Sequence, residues 1–164
     1  MHLTRLYLTM SNDDHWNDKI LLLGVTGGVA AYKAADLASR WTQRGAKVRV
    51  RMTPSACRFV QPLTFEAVTR QPVTTEIWQP LGTGERPEHI GSGDDADLFV
   101  IAPASADHLA RLAQGFGDDA VCLTALAWEG PLVICPAMND RMWRNPAVQA
   151  NVQLLRDRGA TVVD

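Results

Sequence analysis

The sequence has no apolar run long enough to cross a bilayer. Its longest, at 20–23 and 98–102, fall far short of the roughly 20 residues a spanning helix needs. Positive charge is not in excess either: 16 Lys and Arg stand against 18 Asp and Glu, for a net charge of -2. That balance gives no footprint for the phosphates of DNA or RNA, so nucleic acid is excluded as a partner. Three widely spaced cysteines cannot build a disulfide framework. The four histidines (His2, His15, His89, His108) form no pair with each other or with Cys at a zinc-ligand spacing, so no metal is expected. Residues 1–18 carry a brief apolar stretch, but polar and acidic residues follow where a signal peptide needs its apolar region and cleavage site. The expectation is a cytoplasmic protein with a loose tail at 1–18 and one domain at 19–164.

What is present is a recurring pattern: a short apolar run, then a stretch with helical spacing. This is the signature of a parallel sheet wrapped by helices. Strands are expected at 20–25, 48–52, near 74–78, and at 97–102, 132–135 and 161–163. Helices are expected at 29–44, 65–69, 106–114, 118–128 and 146–158. The fold class is therefore α/β, a doubly wound and mainly parallel sheet of the flavodoxin-like or Rossmann-like three-layer kind. In such sheets ligands sit beyond the carboxyl ends of the strands, which selects four junctions: 26–30, 53–55, 103–107 and 136–139.

The first junction lies in GVTGGVAAYK (24–33), a strand-to-helix turn. Gly27 and Gly28 let a ligand approach the backbone, Thr26 offers a hydroxyl, and the amides of Val29 and Ala30 lie at the helix start, where a phosphate is favoured. A tight connection without a ligand reads equally well from these residues alone. The glycine spacing is not G-x-G-x-x-G, and the second strand ends in Met52-Thr53 rather than an acidic residue for a ribose hydroxyl, which disfavours NAD. Thr53 and Ser55 suit either a second contact to a phosphate or ribityl chain, or helix capping around Pro54.

Several separated motifs, in order, resemble the homo-oligomeric flavin-containing cysteine decarboxylases. That family includes phosphopantothenoylcysteine decarboxylases of coenzyme A synthesis and peptidyl-cysteine decarboxylases of lantibiotic maturation. PAMNDRMW at 136–143 is similar to the family's PxMNxxMW substrate motif, with every fixed position kept. PASADH at 103–108 resembles PASANT, GVTGGVAAYK resembles the flavin loop, and Glu88-His89-Ile90 resembles the segment carrying the active-site histidine. The resemblance implies FMN as cofactor, held by Thr26, Gly27, Gly28, Val29, Ala30, Thr53, Ser55, Ser105, Ala106 and Ala137. It also implies a homotrimer or dodecamer with FMN between subunits.

In the family's mechanism, flavin oxidises the cysteinyl side chain to a thioaldehyde, which acts as the electron sink for loss of CO2 and leaves an enethiolate. The resemblance makes His89 the acid/base, since imidazole moves protons near neutral pH. It makes Asn139 the clamp on the substrate carboxylate, with Met138 and Asp107 beside the substrate. Asp107 stands where the family motif has Asn, and an ionised Asp there would repel a carboxylate. His108 replaces Thr and is expected either to pair with Asp107 or to lie exposed. In the coenzyme A enzymes a Gly-rich flap with a catalytic cysteine follows the strand that begins here at Thr161. The sequence ends at Asp164 and as given is equipped to bind FMN and oxidise a substrate without the residue for the final reduction; the expectation is either a piece of a longer protein, with the flap and a fused synthetase domain beyond it, or a branch that releases an enethiol. A peptidyl-cysteine substrate and a non-catalytic, FMN-binding regulatory subunit are the alternatives.

Overall fold

The computed structural model describes residues 16–77 and 95–163. The first apolar run forms β1 (Ile20–Val25), in which every residue after Ile20 is buried. A strand covered on both faces needs no polar alternation, and its successive side chains enter opposite layers. Leu21, Leu23 and Val25 join one core cluster, together with Leu37 and Trp41 of helix α1 (Ala31–Gln43) and Phe65 of α2 (Pro62–Thr69). Leu22 joins the other. Strand β4 (Leu98–Ala104) divides likewise, with Val100 and Ala102 in the first cluster and Phe99 and Ile101 in the second. The second cluster is closed by Leu109 of α3 (Ala106–Gln114), Val121 of α4 (Ala120–Ala127) and Val152 of a helix at Pro146–Asp157. Each large side chain fully buried this way contributes about 1.5–3 kcal/mol relative to exposure.

With β2 (Lys47–Met52), β3 (Val73–Thr74), β5 (Leu132–Pro136) and β6 (Thr161–Val162), the strands form one sheet in the order β3-β2-β1-β4-β5-β6, and every neighbouring pair is parallel. This order is the one associated with dinucleotide sheets. Without the two-residue edge strand β3 it renumbers to 2-1-3-4-5, the flavodoxin-like order. The doubly wound three-layer expectation holds under both descriptions, and the strand order reverses between β1 and β4.

Three local differences from the sequence expectations have physical causes. Helix α1 starts at Ala31 rather than 29, and Ala30 at its N-cap has no side chain able to bond the first amides. Strand β4 runs through Pro103 to Ala104 instead of stopping at 102. Pro103 has no N–H for the ladder, and the register with β5 shifts between Ile101 and Ala104. The strand near 74–78 is only Val73–Thr74, with Trp78 outside the described residues. Trp16 falls in the segment read as tail, yet its ring packs against Trp41 at a centroid distance of 6.2 Å. Among the described residues no helix is long and apolar enough to cross a membrane.

Candidate active site

The carboxyl ends of β1, β2, β4 and β5 stand side by side, and backbone hydrogen bonds continue across them beyond the sheet. Thr53 N donates to Val25 O at 3.0 Å, Thr26 N to Pro103 O at 3.2 Å, and Ala137 N to Ala104 O at 3.0 Å. The four junctions expected from sequence therefore form one row. At its centre Thr26 is 1% exposed. Its hydroxyl donates to Pro103 O at 2.7 Å and accepts from Ser105 N at 2.9 Å. Both the hydroxyl hydrogen and an acceptor lone pair are thus engaged by protein. The sequence reading gave this hydroxyl to a ligand; in the structure it ties the first junction to the third.

The second junction leans on the first. A Cβ built on Gly27 would lie 2.5 Å from Ser55 Cβ, so glycine there is required by the close approach of the two turns. Thr53 Oγ1 accepts from Ala56 N at 3.1 Å, which is the capping role left open by the sequence. At Gly28, by contrast, an added Cβ would meet nothing within 4 Å. The backbone there faces the open space of a cleft.

That cleft has a volume of about 770 Å³ and is lined by Gly27, Gly28, Val29 and Ala30 from the first junction, Ser105 and Ala106 from the third, and Ala137, Met138 and Asn139 from the fourth. A space of this size is ample for a mononucleotide-sized ligand. Thr26, Thr53, Ser55 and Asp107 are not on its wall among the described residues, and His89 lies outside the described residues. The structure adds Lys33, Cys135, Asp140, Met142, Trp143 and Val163. Cys135, 4% exposed at the end of β5, has its thiol pKa pushed up to about 11 by burial and stays protonated at neutral pH. Sequence reasoning treated it as a strand residue, although the rule that puts ligands beyond the carboxyl ends of the strands already placed the last residue of 132–135 beside the fourth junction.

Asn139 is the N-cap of α5 (Asp140–Trp143) and its Oδ1 accepts from Arg141 N at 2.8 Å. This bond fixes which way the amide is turned, and the NH2 group is left as a donor. Ser105 caps α3 in the same manner, its Oγ accepting from His108 N at 3.2 Å.

The two residues that depart from the family motif are displaced from the expected roles. Asp107 is exposed and its carboxylate accepts from Arg111 Nε at 2.8 Å, an i, i+4 pair on α3. His108 is neither exposed nor paired with Asp107. It is 2% exposed, with Nδ1 3.7 Å from Asp119 Oδ2 and Cys122 Sγ 3.9 and 3.7 Å from its two ring nitrogens. A sulfur nearly equidistant from both nitrogens lies along neither in-plane lone pair. Asp119 Oδ1 already accepts from Val121 N and Cys122 N at the positive end of α4. The three residues pack α3 against α4.

Burial pushes the His108 pKa below the usual imidazole value, against the upward pull of Asp119. The unfolded chain therefore binds the extra proton first, and stability is lost as pH falls below about 6.5 toward the depressed folded value. Thermal melts at pH 7.5 and 5.5 should show this as a lower Tm at acid pH. The His108→Leu variant should show a smaller acid loss; an equal loss would locate the acid sensitivity elsewhere.

Comparison with known proteins places these features in context. The family model described as "Flavoprotein" matches residues 9–164. The chain is 44% identical over 144 residues to the coenzyme A biosynthesis bifunctional protein CoaBC of Vibrio vulnificus strain YJ016, covering 88% of this chain and 36% of that protein. It is 43% identical over 148 residues to CoaBC of Bacillus subtilis strain 168, covering 90% and 36%. The chain thus spans about a third of the length of these relatives. Among solved structures, the FMN-dependent cysteine decarboxylase SpaF superposes with a TM-score of 0.82 at 37% identity, covering 90% of this chain and 84% of that one. A PPC decarboxylase mutant complexed with pantothenoylaminoethenethiol gives 0.76 at 32% identity, covering 90% and 82%. With the cleft at the β1/β4 switch point and a family match across nearly its whole length, the chain belongs to the flavoprotein family.

Proposed function

We propose that the chain performs the FMN-dependent oxidative decarboxylation of a cysteinyl carboxylate, with 4'-phosphopantothenoylcysteine as substrate and CO2 and the enethiol as products; return of two electrons from the reduced flavin to the enethiol then completes the conversion to 4'-phosphopantetheine. The observation that carries this reading is Asn139: its carbonyl is held by the start of α5, and its NH2 is the donor left for a carboxylate. The relatives named for coenzyme A biosynthesis and the PPC decarboxylase neighbour support the substrate. The open backbone at Gly28 and the cleft volume fit FMN. When bound, FMN supplies the two-electron acceptor that the cysteinyl group needs before it can release CO2.

The chain's own residues do the rest. The amides of Gly28, Val29 and Ala30 at the start of α1 donate hydrogen bonds to the oxygens of a phosphate. Ser105, Ala106 and Ala137 wall the flavin side, Met138 shields the reacting carbon from water, and Asn139 holds the carboxylate in place. His89 supplies or removes the proton at the substrate sulfur. The same reading carries a cytoplasmic location and a homotrimer or dodecamer. Exposed apolar side chains at Val29, Tyr32 and Met142 support a second copy closing over the cleft.

Anaerobic incubation of the FMN-loaded protein with 4'-phosphopantothenoylcysteine should bleach the flavin and release CO2. A synthetic peptide ending in cysteine serves as the competing substrate. Retention of FMN with neither bleaching nor CO2 from either compound would refute the enzyme reading. The His89→Asn variant should keep FMN and lose at least 100-fold in rate, within the range of a general acid or base. Unchanged turnover would remove His89 from the mechanism.

A further inference from the structure

Away from the cleft, three side chains of different chemistry converge between two helices. His108 on the first turn of α3, Asp119 at the N-cap of α4 and Cys122 on the first turn of α4 bring a ring nitrogen, a carboxylate oxygen and a sulfur within 4.8 Å of one another. The separation of 3.7 Å between His108 Nδ1 and Asp119 Oδ2 is too long for a hydrogen bond. It is close to the spacing of two ligands on one tetrahedral Zn2+, about 3.3–3.6 Å for bonds of about 2.0–2.3 Å. The amides of Val121 and Cys122 both donate to Asp119 Oδ1, which orients the carboxylate and leaves Oδ2 turned to the imidazole. Burial keeps His108 neutral at pH 7, the form that binds a metal. A second cavity, of about 310 Å³, lies against the group, with Cys122 on its wall beside Leu112, Leu126, Trp128 and Leu155.

We propose that His108, Asp119 and Cys122 form a site for a divalent cation of borderline softness, Zn2+ by its ligand set, that clamps α3 to α4. A thiolate with an imidazole selects against Mg2+ and Ca2+, which take oxygen ligands. On binding, the Cys122 thiol gives up its proton to solvent and forms a sulfur–metal bond. Thiolate and carboxylate then match the two charges of the ion, so the buried site carries no net charge. The sulfur, which lies along neither ring lone pair, reaches the ion by a turn about the Cys122 Cα–Cβ bond, and the adjoining cavity gives room for it. Water fills the fourth position from the side of Asp119, whose side chain is 11% exposed. The spacing of the histidines and cysteines gave no sign of such a site because its ligands are split between two helices.

The test uses the full FMN-loaded chain, freed of metal with a chelator and dialysed, as wild type, Cys122→Ser and Asp119→Asn. Serine keeps the shape at 122 and asparagine keeps the cap at 119, so both should fold. Zn2+ is titrated by calorimetry, and Co2+ by the thiolate-to-cobalt charge-transfer band in difference spectra. The wild type should take up one Zn2+ per chain with a Kd of about 1 μM or below, and its Tm should rise with the ion. Each variant should bind about tenfold or more weakly, and Cys122→Ser should lose the cobalt band although Cys57 and Cys135 remain. A wild type that binds no Zn2+, variants that bind it equally well, or a band that survives in Cys122→Ser would overturn the proposal. If one variant does not melt cooperatively, the other decides. No readout depends on turnover, so the site stands or falls apart from the decarboxylase reading.

Discussion

Asn139→Asp should lose decarboxylation of a cysteinyl carboxylate by about a hundredfold or more in kcat/KM while keeping FMN bound. The substitution is chosen because aspartate caps a helix as well as asparagine does, so the Oδ1 to Arg141 N–H bond at the start of α5 survives. What disappears is the NH2 donor. What appears is a negative charge facing the substrate carboxylate. A hydrogen bond to a charged group contributes about 1.5–3 kcal/mol. Repulsion between like charges at about 4 Å adds about 1–4 kcal/mol, depending on how far water screens the cleft. Each 1.4 kcal/mol is tenfold, so the combined effect lies between about a hundredfold and about a hundred-thousandfold, the upper end requiring a cleft with little water. Asn139→Ser keeps a cap and removes the donor without adding charge, so its loss should be smaller, about ten- to a hundredfold. An Asp variant within threefold of wild type would mean that Asn139 does not hold the carboxylate.

The second large effect is expected in stability. Thr26→Val keeps the shape of a side chain that is 1% exposed and removes both of its hydrogen bonds across the switch point. Pro103 O retains the Thr26 N–H, but the Ser105 N–H loses its recorded acceptor where β4 gives way to α3. An unsatisfied buried amide together with the lost bonds costs about 2–4 kcal/mol. In a chain of this size that corresponds to a fall in Tm of about 5–15 °C. FMN affinity should fall with it, because Thr26 fixes the spacing between the Gly27–Gly28 turn and Ser105. Thr26→Ser restores the hydroxyl and should recover both properties. A Val variant with unchanged Tm and FMN affinity would reduce Thr26 to a replaceable packing residue.

These two residues show how unevenly the site could be read. The role of Asn139 as cap and donor follows from local information, since the capped amide is only two residues away. The role of Thr26 does not. Its partners lie 77 and 79 residues along the chain, and no spacing rule connects them. Asp107 carried a local clue that the motif resemblance overshadowed: Arg111 stands four residues on, at the distance where a helical ion pair forms. The burial of His108 depends on α4 bringing Asp119 and Cys122 against α3, which the helical pattern of α3 alone could not reveal. Lys33 stood within a recognised motif, and only its place on the cleft wall distinguished it from an ordinary solvated lysine.

By itself the sequence determined the α/β class, the buried strands and the row of four strand-end junctions, of which the first, third and fourth line the cleft. Apolar runs, helical spacing and turn residues are local consequences of backbone geometry and burial. Only the tertiary structure decided which polar groups at those junctions face the cleft. Hydroxyls and amides bond to whichever donor or acceptor the fold brings nearest, and at the β1/β4 switch point the nearest partner of Thr26 is protein, whereas the backbone at Gly28 opens onto the cleft.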